Sequence, residues 1–163
     1  MTVEDQVRAA QRGDPVAIDA LLAELAPWVG RICAAIALDR GADAMQESLI
    51  TIVRNLPTLR EPSAFRAWAR RIAVRQALRQ LGHDNEVLVA ELPEGVEVTD
   101  LDTAIDVRAT LDALTPPQRA LLVLRDLEDV SERDAAAALG VELGTVKSGL
   151  HRARAAFKER WEA

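Results

Sequence analysis

The stretch Ser131 to Trp161, SERDAAAALGVELGTVKSGLHRARAAFKERW, decides how the rest of the chain is read. Ser131 can cap a helix whose third position carries Asp134, a capping box in which aspartate stands in for glutamate. Ala135 to Ala138 give that helix almost no side-chain bulk, so a second helix can approach closely, and Leu139 anchors its end. Gly140 stands where a left-handed residue is wanted, and Val141-Glu142 fill a short turn before Leu143 or Gly144 opens the next helix. There Val146, Leu150, Ala153, Phe157 and Trp161 recur at steps of three and four and make one apolar face. Lys147, His151, Arg154 and Lys158 follow one residue behind the first four, about 100° further round the helix. A basic stripe beside a core stripe suits a helix-turn-helix that reads DNA, because a major groove admits one helix and its phosphates reward cations on that helix's flanks. The same spacing also fits a helical hairpin with a solvated charged face.

Upstream, a helix is expected near Ile105 to Leu114 with Val107, Leu111 and Leu114 facing inward. Thr115-Pro116-Pro117 then restarts the chain as cap plus proline, Ala120, Leu121, Val123, Leu124 and Leu127 continue the core, and Glu128-Asp129-Val130 leads into the helix-turn-helix. Before that, residues 81–106 lose the helical period. Gly82, Pro93 and Gly95 interrupt short apolar pieces, and eight acids from Asp84 to Asp106 meet no Lys or Arg between Arg79 and Arg108. An acidic flexible linker is the economical reading. The expected organisation is all-α: one small helical domain over 1–80, a linker over 81–105 and a second helical domain over 106–163.

The first domain reads as four helices. Residues 4 to 12 end at Gly13. Asp14-Pro15 opens a helix whose apolar period runs from Ile18 to Ile36, with Pro27 expected to kink or break it. Asp39-Arg40-Gly41 turns into a helix over about Ala42 to Leu56, with Met45, Leu49, Ile52, Val53 and Leu56 inward and Asp43, Gln46, Glu47, Thr51 and Arg54 outward. The loop Pro57 to Pro62 follows, and Ser63 is expected to cap the helix Ala64 to about Gln80, which sets Phe65, Trp68, Ala69, Ile72 and Ala73 on one side. Arg71, Arg75 and Arg79 form an i, i+4, i+8 row, with Arg66 and Arg70 on a second flank. Five arginines without an acid repel one another in a helix, and an anionic partner would resolve the repulsion.

Net charge is −6 over 163 residues, which alone argues against a nucleic-acid partner. Setting aside the eight acids of the linker leaves +2 for the rest, so the acidity is local and the flanking domains are mildly basic. Cys33 is the only cysteine, and Ile32 and Ile36 beside it point to a buried inert thiol. The start MTVEDQVRAAQRGD lacks the pattern of a signal peptide, and no stretch approaches about 20 apolar residues without a charge, so a soluble cytoplasmic protein without membrane insertion is expected. His83 and His151 lie far apart and no nucleophile or phosphate-loop motif occurs. The chain is therefore expected to be no enzyme, with no metal and no cofactor.

Taken together, LDALTPPQRALLVLRDLEDVSERDAAAALGVELGTVKSGLHRARAAF resembles region 4 of a bacterial sigma-70 factor of the small extracytoplasmic-function (ECF) type, with GTVKSGLHRAR its most specific string. Asp43-Ala44-Met45-Gln46-Glu47 is similar to the polymerase-binding helix of region 2, and Ala64 to Ala73 to the helix that contacts the promoter −10 element. The resemblance implies core RNA polymerase as partner, reached through Asp43, Gln46 and Glu47 on the β′ clamp helices and through the β flap. Promoter DNA would be held at −10 by Arg60, Arg66, Arg70, Arg71, Arg75 and Arg79, and at −35 by Thr145, Lys147, Ser148, His151, Arg152 and Arg154. Small sigma factors are often held inactive by an anti-sigma factor, which adds one to the partners implied. Gly149 replaces the usual basic residue of VKSxLHRAR and would interrupt the DNA-facing surface. Two alternatives are a sigma mimic that sequesters an anti-sigma factor and a stand-alone helix-turn-helix regulator.

Overall fold

The computed structural model describes residues 1–82 and 107–162, and all regular structure among them is helical. The segment expected as a linker lies outside the described residues from position 83 on, as does the expected helix start at Ile105. The chain folds as two compact units, Met1–Gln80 and Leu81–Ala163.

In the first unit, α1 (Val3–Gln11) opens on a complete capping box. Thr2 Oγ1 accepts from Asp5 N and the Asp5 carboxylate accepts from Thr2 N, each at 3.1 Å. The Thr2 hydroxyl also donates to the Asp5 carboxylate at 2.7 Å, and this bond first, then that from Thr2 N, holds the Asp5 carboxyl below its ordinary pKa. In α2 (Pro15–Ala37), the Asp14 carboxylate accepts from Val16 N at 3.0 Å, with Pro15 in the first turn as expected. The helix does not break at Pro27. A proline removes one donor, while Leu21 and Leu25 before it and Trp28, Val29 and Ile32 after it are all buried, so both halves are held in one core. An 18-residue window within the stretch Pro15–Thr58 has a mean hydropathy of 1.6, apolar enough by length and composition to cross a membrane. Of that window, 44% is buried inside the unit.

A 3-10 turn over Leu38–Arg40 leads to α3 (Gly41–Asn55). The inward stripe of α3 agrees with the expected one at Ile52, and at Leu56 just beyond the helix, but not elsewhere. Gly41, Ala44, Ser48 and Ile52 are buried, while Met45, Leu49 and Val53 are half-buried. The reason lies at Gly41, where a Cβ would stand 2.8 Å from Ala34 Cα. Backbones that close leave room only for small side chains along the seam. Ser48 is admitted because its hydroxyl donates to Ala44 O at 2.6 Å; its oxygen lies 3.7 Å from the fully buried Cys33 Sγ. Burial pushes the Cys33 thiol up to about 11.

Two 3-10 turns, Leu56–Thr58 and Pro62–Ala64, precede α4 (Phe65–Gln80). Ser63 sits inside the second turn and caps nothing; Glu61 holds the cap position, without a side-chain bond. α4 buries Phe65, Ala69, Ala73, Val74, Ala77 and Leu78, with Trp68 and Ile72 half-buried at the edge of the stripe.

The second unit holds α5 (Val107–Asp112), α6 (Pro116–Leu122), a π-helical turn (Val123–Leu127), α7 (Glu132–Leu139) and α8 (Leu143–Glu162). Thr110 and Leu114 are buried, whereas Val107, expected inward, is exposed. Thr115 and Gln118 form the capping box of α6. The π turn carries one extra residue per turn, marked by Glu128 N donating to Val123 O at 2.9 Å. That residue rotates Leu127 off the core stripe, leaving it 69% exposed, and Val130 is buried in its stead. Ser131 Oγ accepts from Asp134 N at 3.1 Å, and Gly140 ends α7 in the left-handed conformation at φ +67°. Arg119 is almost wholly buried, its guanidinium donating to Leu111 O at 3.1 Å and Leu114 O at 2.5 Å. Burial lowers its pKa and Asp112 partly restores it. Carbonyls at the end of α5 thus find a donor that water would otherwise supply.

Candidate nucleic-acid interface

In the first unit the five α4 arginines divide into two groups. Arg66 and Arg70 lie over the indole of Trp28, their guanidinium carbons 4.3 and 5.7 Å from the ring centroid. Trp28 is buried in α2, so the platform is fixed by the core and holds two cations at the surface. Arg71 and Arg79 are exposed, and Arg75 is half-buried between them. The Arg75 guanidinium is depressed first by burial and then by the Arg71 charge, so the expected like-charge repulsion along the row is present. Arg60 is exposed in the preceding loop. Beside Arg66, a cavity of about 250 Å³ is lined by Leu21, Leu25, Trp28, Pro62 and Phe65 among others. On α3, Asp43, Gln46 and Glu47 are all exposed, and Ile50, which the sequence reading missed, is exposed among them.

In the second unit α8 presents Lys147, Ser148, His151, Arg152 and Arg154 at the surface, with Thr145 half-buried. Val146, Leu150 and Ala153 are buried on the opposite arc. Arg154 and Ser148 are already engaged. Arg154 donates to both Asp126 carboxylate oxygens, at 2.6 and 3.3 Å, which raises its pKa. Ser148 Oγ donates back to Gly144 O at 3.1 Å. The Arg154–Asp126 pair joins α8 to the π turn across 28 positions, a distance at which no helical spacing rule signals a partner. Phe157 is half-buried and stacks on Trp161, centroids 5.9 Å apart, so the apolar stripe loosens toward the helix end.

Gly149 is buried together with Val146, Leu150 and Ala153. At about 100° per residue it falls roughly 60° to one side of Val146, while Lys147 and Arg154 fall 80–100° to the other. It lies away from Lys147 and Arg154 but about 40–60° from Thr145 and Arg152.

The profile of sigma-70 region 2 matches residues 21–85, and that of sigma-70 region 4 matches residues 104–157. The ECF RNA polymerase sigma-E factor of Haemophilus influenzae is 30% identical over 174 residues, an alignment covering 94% of this chain and 92% of that one. The chain belongs to the ECF sigma factors. The ECF sigma factor SigE of Mycolicibacterium smegmatis is 31% identical over 129 residues, 72% of this chain, and the match spans only half of that longer relative. Among solved structures, CnrH in complex with the cytosolic domain of CnrY superposes at a TM-score of 0.69, with 21% identity, over 98% of this sigma factor and 97% of that chain. The sigma factor RpoE in complex with the anti-sigma factor NepR, from Bartonella quintana, gives 0.66 at 21% identity, over 89% and 96%. At that identity both describe the fold of the ECF sigma factor. Neither assigns its contacts.

Proposed function

We propose that this ECF sigma factor binds core RNA polymerase in the cytoplasm and directs initiation at promoters carrying its −10 and −35 elements. The observation that carries the reading is a cationic helical face in each matched region: the arginines of α4 in region 2 and the outer arc of α8 in region 4. Neutralised phosphates supply most sequence-independent affinity, and a major groove admits one helix such as α8. Thr145, Lys147, Ser148, His151, Arg152 and Arg154 then serve the −35 duplex. Arg60, Arg66, Arg70, Arg71, Arg75 and Arg79 hold the opened −10 strand, and the cavity beside Arg66 offers room for an unstacked base. Asp43, Gln46 and Glu47 form the polar part of the polymerase-binding face of α3. An anti-sigma factor is a further proposed partner, since the sigma factor RpoE, a protein of this fold, was solved with the anti-sigma factor NepR bound.

Run-off transcription tests the reading. Core polymerase plus this protein, on a fragment library of the host genome, should yield discrete starts absent with core alone. No discrete starts, with tight binding to an anti-sigma domain, would favour the mimic instead.

A further inference from the structure

We infer that Gln11 is a positioning residue for promoter opening, fixing from α1 the loop that carries Arg60; the inference rests on the function proposed above. α3 ends at Asn55, so carbonyls of the following turn lack helical donors. Local bonds satisfy part of the loop: Thr58 Oγ1 donates to Asn55 O at 2.6 Å and Leu59 N to Leu56 O at 3.1 Å. The remaining anchor comes from the other end of the unit. Gln11 Nε2 donates to Leu56 O at 3.1 Å and to Leu59 O at 2.7 Å, reaching across 45 and 48 positions of sequence.

The second of these carbonyls belongs to the peptide that joins Leu59 to Arg60. Holding that oxygen sets the plane of the peptide, and the plane sets the direction in which Arg60 leaves the loop. Leu59 is extended at ψ 115°, so no helical ladder restrains it independently. Gln11 itself is positioned by α1, whose Val7 and Ala10 are buried and whose first turn is locked by the Thr2–Asp5 box. Helix α1 thus governs the geometry of the −10 loop. The chemistry needs an amide at this place: two hydrogens on one nitrogen serve two oxygens, which neither a carboxylate nor a thioether can do.

The test compares Gln11→Met, which keeps the volume without the donors, Gln11→Glu, which turns acceptors toward the two carbonyls, and Arg8→Ala as an exposed control on the same helix. Each is assayed with core polymerase on a promoter set carrying every base at each −10 position, alongside affinity for core polymerase and the Tm of the free protein. Both Gln11 variants should lose roughly tenfold in initiation, the scale of two net hydrogen bonds. They should also flatten the ranking of −10 bases while core affinity stays within twofold, and Arg8→Ala should match the wild type. An unchanged −10 ranking in Gln11→Met and Gln11→Glu overturns the inference, as does a core affinity that falls in step with initiation, which is the mark of general misfolding. Absence of promoter-specific starts from the wild type would instead remove the parent reading, and this inference with it.

Discussion

Raising the pH from 8 to 10 should weaken the first unit through a single thiol. Cys33 is fully buried and its pKa stands at about 11 in the folded chain, against 9.0 when unperturbed. The unfolded chain therefore releases this proton first. Between the two values the folded state binds one more proton than the unfolded state, so stability is complete below about pH 9 and falls with rising pH. One pH unit into that window corresponds to about 1.4 kcal/mol. Few other groups in this unit interfere. The sequence contains no tyrosine, and its lysines, Lys147 and Lys158, both lie in the second unit. Urea unfolding followed by the fluorescence of Trp28 and Trp68, in a Trp161→Phe background, reports on this unit alone. With a slope of about 1 kcal/mol per molar urea for a unit of this size, the midpoint should drop by roughly 1 M between pH 8 and pH 10. Cys33→Ala should lower the midpoint at both pH values and remove most of the difference between them. The reasoning is refuted by a wild-type midpoint that stays level to pH 10, or by a Cys33→Ala variant that drops as far as the wild type.

Gly41→Ala should destabilise the first unit by more than 1 kcal/mol although alanine is the better helix former, because the added carbon meets the α2 backbone; chemical denaturation gives the value. Asp126→Asn should cost only about 0.2–1 kcal/mol, since both partners of the Arg154 pair are about half exposed. It should also steepen the salt dependence of −35 duplex binding by the holoenzyme, by up to one phosphate contact in the logarithmic slope, as Arg154 is released toward DNA; a slope unchanged from wild type, or equal to that of Asp126→Asn with Arg154→Ala, would count against that role. Arg71→Ala with Arg75→Ala should impair promoter opening while leaving core binding intact, and undiminished permanganate reactivity of the −10 strand would contradict it.

Local rules read well from this chain and long-range ones did not. Thr115, Ser131 and Asp14 cap their helices, Pro15 and Pro116 open theirs, and Gly140 closes α7, because each depends on a backbone group at most four residues away. The helix-turn-helix spacing of α7 and α8 belongs to the same class. What the sequence hid depends on partners distant in the chain. The α3 stripe shifted because Gly41 meets Ala34, and Ser48 could enter the core only through a bond to its own helix. Leu127 turned outward through a π turn that no hydrophobic period announces. The candidate interface was legible as a set of cations, since charge and spacing suffice to find them. Which cations are already held was not: Trp28 reads as one more apolar position, and nothing near Arg154 in sequence points to Asp126.

The stacking of Arg66 and Arg70 on Trp28 bears on how quickly a strand can be captured. An arginine at a bare surface samples many rotamers and gives up as much as about 2 kcal/mol of side-chain entropy when a phosphate immobilises it. Two guanidinium groups already spread on an indole have incurred part of that loss during folding. With the −10 role proposed above, DNA opened beside them would meet guanidinium groups whose side chains are already partly ordered, so capture would require less further ordering.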